Sequence, residues 1–271
     1  ADFYRGRSTI EPDRLFWREL VAGQLDADRM DYLLRDSYHC GVTYGQYDLD
    51  RIIDTLCLVE DARADAPKDL HIGIESGGRH AAEGLILARY FMFQQVYFHP
   101  VRKAYDRHAA KCLEMMLEGA DDDGALPRPD RETSRDRYVG LDDWSVLRRI
   151  QDCPRDHHCE AILKHKHDRC LRQTHEVAMP QEILEVSENV NKLIKRGIDA
   201  WVGSADKEWY KVDGAEIMIA EESANSKPSS SARPLSEVSS VARKIAPSQQ
   251  RLLFVPADRV DDAKKVLPSK E

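Results

Sequence analysis

The stretch Gly23–Gly45, GQLDADRMDYLLRDSYHCGVTYG, constrains the fold more than any other part of the chain. Asp26 suits an N-cap, Leu25 and Met30 can staple the helix entry, and Gly41 suits its end. At about 100° per residue, Met30, Leu33, Leu34 and Ser37 fall on one side and suit a core. Asp28, Tyr32 and Asp36 fall on the other side, each four residues from the last. One face therefore shows a carboxylate, a phenol and a second carboxylate over two turns, flanked by Arg29 and Arg35. For an arbitrary surface helix such a face is simply solvated.

The literal string goes further. Its pattern, D-x-D-R-x-D-Y-x-x-R-D-x-x-x-x-G, resembles the HD-domain phosphohydrolases, in particular the deoxynucleoside triphosphate triphosphohydrolases, among them the mammalian SAM-and-HD-domain dNTPase. In that family a metal site is built from His, His-Asp and a final Asp, and Asp28 matches the final Asp. The resemblance implies Asp28 as the catalytic and metal-binding residue, and Mg²⁺, Mn²⁺ or Fe²⁺ as the ion. It also implies that Tyr32 and Asp36 face the sugar of a nucleotide and that Arg29 lies near phosphate. The His and His-Asp ligands lie well upstream in the family, and the motif here begins about two dozen residues in. The remaining ligands are therefore expected outside this chain, in an N-terminal HD portion from the same gene or a separate chain.

A second element, GLILARYFMFQQVYFHPVRKAY, places Arg89 and Tyr97 eight residues apart on about the same helix face. Read alone, Arg89 pairs with a surface acid and Tyr97 is core. The resemblance implies instead that Arg89 and Tyr97 meet the triphosphate and the nucleoside. The reaction it implies is attack at the α-phosphate, releasing nucleoside and inorganic triphosphate. A reading from a different class is a non-catalytic nucleotide-binding or assembly subunit on the same scaffold. Family resemblance further implies a homo-oligomer.

Composition narrows the alternatives. The 271 residues carry a formal net charge of −8, which argues against a general polyanion-binding surface but leaves room for a local basic pocket. No apolar run approaches the roughly 18–20 residues of a membrane span, so no membrane partner is expected. Six cysteines show no spacing typical of zinc ribbons or disulfide scaffolds, and a reducing cytoplasm is the expected compartment.

Along the chain, Phe16, Trp17, Leu20 and Val21 form an apolar stripe on a first helix, with Trp17 in the core. Leu49, Ile52, Ile53 and Leu56 place a helix over about 49–60. Alternation at 70–75 predicts a strand, and Ser76-Gly77-Gly78 turns it into a helix over about 80–98. Pro100 restarts the helix, which should bury Val101, Tyr105, Cys112, Met115 and Met116 and end at Gly119. Residues 120–137 read as an exposed loop, and 138–150 as a helix. Cys153–His175 is rich in His and Cys but has no second Cys-x-x-Cys arm, so it reads as a basic helix rather than a closed zinc site. Pro180 and Gly197 bracket a helix. Residues 208–220 read as a hairpin about Asp213-Gly214, and 222–234 as a flexible Ser-rich loop. Pro234–Ile245 reads as a helix, Arg251–Val255 as a strand and Pro256–Leu267 as a final helix. The expected fold is mainly α: a helical HD-domain body over 1–120, a helical extension over 121–200 and a small α+β subdomain over 201–271.

Overall fold

The fold follows from where helical periodicity gives way to β pairing. It is seen in a computed structural model that describes residues 16–60, 70–117, 127–130, 132–210, 216–221 and 228–267. The expected cap of the first helix at Ser8 or Thr9, the end of a helix at Gly119 and the Asp213-Gly214 turn lie outside the described residues, as do residues 222–227 of the Ser-rich stretch, whose end at Ala232–Pro234 is a strand rather than a loop. In chain order the helices are α1 (Glu19–Ala22), α2 (Ala27–His39), α3 (Leu49–Asp54), α4 (Arg79–Met92), α5 (Pro100–Leu117), α6 (Glu132–Val139), α7 (Asp143–Asp152), α8 (His157–Leu163), α9 (Pro180–Lys195), α10 (Leu235–Val238), α11 (Ser240–Lys244) and α12 (Val260–Val266). The strands are β1 (Leu56–Glu60), β2 (Leu70–Glu75), β3 (Arg169–Gln173), β4 (Trp201–Lys207), β5 (Met218–Ala220), β6 (Ala232–Pro234) and β7 (Ser248–Val255). The chain is mainly helical with smaller α+β parts, as its patterning predicts.

Contacts group the chain into two units, each made of two stretches: residues 1–97 with 207–247, and 98–206 with 248–271. In the first unit the sheet order is β1-β2-β5-β6. β1 and β2 run antiparallel, β2 and β5 parallel, and β5 and β6 antiparallel. Its core gathers Leu33 from α2, Ile52 from α3, Ile74 from β2, Leu85 and Met92 from α4, and Ile217 and Leu235 from the returning chain. Burying each such side chain is worth about 1.5–3 kcal/mol relative to leaving it exposed. In the second unit the order is β3-β7-β4, with a bulge between Cys170 and Arg172. There α9 and α12 pack Val186, Leu193 and Ala263 against Leu253 and Val255 of β7.

Several expectations are corrected. The helix expected over 49–60 stops at Asp54, because Leu56–Glu60 pairs with the alternating strand β2 from Leu56↔Ile74 to Glu60↔Leu70. Thr55 makes the corner: its Oγ1 donates to Arg51 O at 2.6 Å, and its carbonyl accepts from Glu75 N at 2.8 Å. Gly78 packs on this corner so closely that a Cβ would run into Thr55 Oγ1 and Ile74 Cγ2. Trp17 and Val21 are exposed, not core, since α1 is a single turn and cannot present a two-turn stripe. Val101 is also exposed; α5 buries Cys112 as expected, together with Ala104 and His108, and leaves Tyr105, Met115 and Met116 half-buried. The Cys153–His175 stretch is not one helix. It is a short α8 capped by Asp156, a turn through His165 at φ 54, and strand β3, because Leu171 and Cys170 pack into the second unit's apolar clusters. Residues 208–210 form no strand, and β5 pairs with β2 and β6, so the expected 208–220 hairpin is absent among the described residues.

The cysteines sort by environment. Cys112 and Cys159 are fully buried with their Sγ atoms 3.5 Å apart. Burial pushes the Cys112 thiol up and the Cys159 thiol up to about 12. Cys40 and Cys153 are exposed. Alkylation at mildly alkaline pH is expected at Cys40 and Cys153 and not at Cys112 or Cys159, because the thiolate is the nucleophile. Peptide mass spectrometry reads this directly, and fast labelling of Cys159 would contradict it.

Candidate functional site

Helix α2 is pinned on its buried side and thereby presents its polar side. Asp26 Oδ1 accepts Arg29 N–H at 2.6 Å as the N-cap. At the other end Gly41, at φ +67, closes the helix, with Gly41 N–H donating to Tyr38 O and Val42 N–H to Ser37 O. Ser37 Oγ donates to Val42 O at 2.6 Å, and Tyr47 OH donates to Met30 O at 2.8 Å. Met30, Leu33 and Ser37 are buried, as the periodicity predicts, and Leu34 is half-buried.

The opposite face carries the predicted site residues. Asp28 is exposed on the first turn. Arg29 folds back over the helix entry: its Nη1 donates to Gln24 O and Oε1, and its Nη2 lies 3.3 Å from Asp26 Oδ2. Asp36 Oδ2 accepts the Tyr97 hydroxyl at 2.7 Å, and the Tyr97 ring meets Tyr32 edge-on with centroids 6.2 Å apart. Tyr97 closes a π-helical turn, Phe93–Tyr97, that follows α4. Such wide turns within helices often occur at functional sites.

Arg89, on the last turn of α4, lies beside Tyr32, and its Nη1 donates to Trp209 O at 2.8 Å. Its Nε is buried and has no hydrogen-bond partner among the described residues. Burial, and then the charge of Arg29, lowers the pKa of this guanidinium. Burial raises the phenol of Tyr32, which the Arg89 charge partly offsets. Burial and the Asp36 carboxylate both push Tyr97 upward, so it remains a hydroxyl donor. The structure thus brings Tyr32, Asp36, Arg89 and Tyr97 together, with Arg29 and Asp28 at the N-terminal end of the same helix.

Sequence reasoning missed the aromatic wall behind Arg89. Trp209 is 1% exposed, donates Nε1–H to Ala246 O at 2.8 Å, and meets Tyr90 and Phe93 edge-on at 5.2 and 5.7 Å. The only signal was a large apolar residue in the charged run Lys207-Glu208-Trp209. Chemically the group offers a carboxylate acceptor, aromatic edges and a desolvated cation, a set suited to a sugar and an anionic group. It is not a closed metal site. Among the described residues, the two clusters of three close His, Cys, Asp or Glu ligands exclude Asp28. An ion at Asp28 would need ligands from beyond the described residues.

Residues 47–251 match the model of the HD associated region, and the chain belongs to that family. The match includes Arg89 and Tyr97 and begins after α2, so Asp28, Arg29, Tyr32 and Asp36 lie before it. The chain is 44% identical over 94 residues to protein YwfO of Bacillus subtilis, covering 35% of this chain and 20% of that protein. It is 43% identical over 88 residues to protein MJ1154 of Methanocaldococcus jannaschii, covering 32% of this chain and 18% of that protein. The matched stretch thus spans about a fifth of these curated relatives. In structure the chain is similar to a hypothetical protein from Aquifex aeolicus, with a TM-score of 0.76, 23% identity, and coverage of 98% of this chain and 63% of that one. It is also similar to a phosphohydrolase from Bacteroides thetaiotaomicron, with a TM-score of 0.64, 21% identity, and coverage of 94% and 66%. These two likenesses establish a shared fold. No helix among the described residues is long and apolar enough to cross a membrane.

Proposed function

We propose that this chain supplies the nucleotide-binding side of an HD-type phosphohydrolase that splits deoxynucleoside triphosphates into nucleoside and triphosphate, together with a portion carrying the His and His-Asp ligands. The observation that carries this reading is the Tyr97–Asp36 hydrogen bond at 2.7 Å, made between two helices with Tyr32 and Arg89 beside it. A sugar hydroxyl can donate to the Asp36 carboxylate in place of Tyr97, with the Tyr32 and Tyr97 rings against the sugar. Arg89 and Arg29 then balance phosphate charge, Arg89 from a desolvated position where its charge acts most strongly. Asp28 and Asp36 stand about 12 Å apart along the helix axis at about 1.5 Å per residue. They cannot share one ion, so Asp28 takes the metal role and Asp36 the sugar role. The same reading makes the protein a cytoplasmic homo-oligomer, and sedimentation velocity tests the assembly.

The test compares nucleotide binding and turnover. The full-length protein with Mn²⁺ should release triphosphate from dNTPs, and this chain alone should not. In the full-length protein, Asp36→Ala should leave the metal in place and weaken nucleotide binding by about 1.5–3 kcal/mol, the range for hydrogen bonds to a charged group, or about 10–150-fold. Calorimetry and steady-state kinetics read both. Unchanged nucleotide affinity in Asp36→Ala would overturn the assignment. Nucleotide binding without turnover in the full-length protein would favour the non-catalytic subunit instead.

A further inference from the structure

The second unit holds a histidine cluster that the proposed reaction does not use. His108 of α5 is fully buried, and its Nδ1 lies 2.9 Å from His158 Nδ1 on α8. The neighbouring His157 is exposed. One ring nitrogen from each of the three lies within 4.8 Å of the others. The second arm that Cys153–His175 lacks in sequence is thus delivered from α5, some fifty residues upstream.

Asp168 completes the cluster. It is 3% exposed, and its two oxygens face different ways. Oδ2 accepts Trp201 Nε1–H at 2.7 Å and lies 3.7 Å from Arg107, whose guanidinium stacks over the Trp201 ring at 4.5 Å. Oδ1 makes no hydrogen bond and is aimed at the histidines, 3.6 Å from His108 Nε2 and 3.7 Å from His157 Nε2. A buried carboxylate oxygen without a partner is costly unless something else meets it.

We propose that His108, His157 and His158 bind a transition-metal ion, with Asp168 as the carboxylate that orients His108. Two imidazole nitrogens on one ion, each at about 2.0–2.1 Å, stand roughly 2.9–3.3 Å apart at octahedral or tetrahedral angles. The 2.9 Å between His108 and His158 fits that edge. Without an ion the pair is a single N–H···N hydrogen bond, because Asp168 N–H donates to His108 Nε2 at 3.2 Å and leaves the proton on Nδ1. Binding at Nδ1 moves that proton through solvent to Nε2, at the expense of the bond from Asp168 N–H, and Oδ1 is already placed to receive it. A metal-bound histidine backed by a carboxylate is a recurring arrangement. Three imidazoles suit Zn²⁺, Co²⁺ or Ni²⁺. A cavity of about 200 Å³, lined in part by His157, Glu160 and Asp258, opens beside the cluster and offers an entry path. The ion would tie α5 to α8.

The test uses the purified chain with Co²⁺ as a visible probe and Zn²⁺ as competitor. We expect one equivalent of Co²⁺ with visible ligand-field bands, its displacement by Zn²⁺, and a Tm that rises with metal. His157→Ala alters an exposed side chain and should keep the fold by circular dichroism while losing at least tenfold in Co²⁺ affinity. His158→Gln should do the same, and Asp168→Asn should lose about 10–100-fold. Asp28→Ala should bind Co²⁺ as the parent does, which separates this site from the one in the proposed function. No Co²⁺ uptake, undiminished uptake in folded His157→Ala and His158→Gln, or loss of uptake in Asp28→Ala alone would each overturn the proposal.

Discussion

On the function proposed above, Asp28→Ala, made in the full-length protein, is expected to abolish metal-dependent release of triphosphate and to remove the metal proposed to bind at Asp28. The residue is exposed on the first turn of α2, where the helix dipole adds partial positive charge that an aspartate offsets. Its removal should therefore cost little in stability, about 0.3–1 kcal/mol from the lost dipole interaction. A large loss of turnover with a small loss of stability is the signature of a ligand rather than a scaffold residue. Metal analysis, steady-state kinetics and urea titration on the same preparation read all three quantities. Normal turnover in Asp28→Ala would remove the basis for assigning the site from its resemblance to the dNTPases. A comparable loss of metal in Asp36→Ala would show that the two carboxylates do not divide their roles.

Trp209→Ala is expected to destabilise the first unit by about 3–5 kcal/mol, the usual cost of deleting a fully buried tryptophan. The side chain is 1% exposed and touches Tyr90 and Phe93, and its indole N–H donates to Ala246 O. Its carbonyl also anchors Arg89 Nη1, so the loss should spread to the position of that guanidinium. Trp209→Phe keeps most of the packing and leaves Ala246 O without its donor, which should cost about 1–3 kcal/mol. Denaturant titration should show a lower midpoint at unchanged slope for both variants. A loss under about 1 kcal/mol for Trp209→Ala would mean that the wall behind Arg89 can collapse without penalty.

The same contrast between local and distant signals runs through the fold. Helix α2 was legible because its cap, its buried stripe and its closing glycine are all written within fifteen residues of one another. The α9 helix, bracketed by Pro180 and Gly197, was legible for the same reason. Leu49–Glu60 misled because its apolar spacing satisfies a helix, while the partner that draws Leu56–Glu60 into a strand lies at residues 70–74. His108 lies on α5 and Asp168 just ahead of β3, and nothing in the local spacing of either stretch links the two. They meet because β3 and α5 belong to one unit, at a separation of sixty residues.

By itself the amino-acid sequence determined the mainly helical class, the capped helix of Asp28, Tyr32 and Asp36, and the family resemblance of that helix, since each rests on residues close along the chain. The tertiary structure alone decided that Tyr97 meets Asp36, that Trp209 backs Arg89, and that His108 joins His157, His158 and Asp168. Those contacts depend on strand pairing and on burial of side chains from distant stretches, and neither leaves a periodic trace in the local sequence.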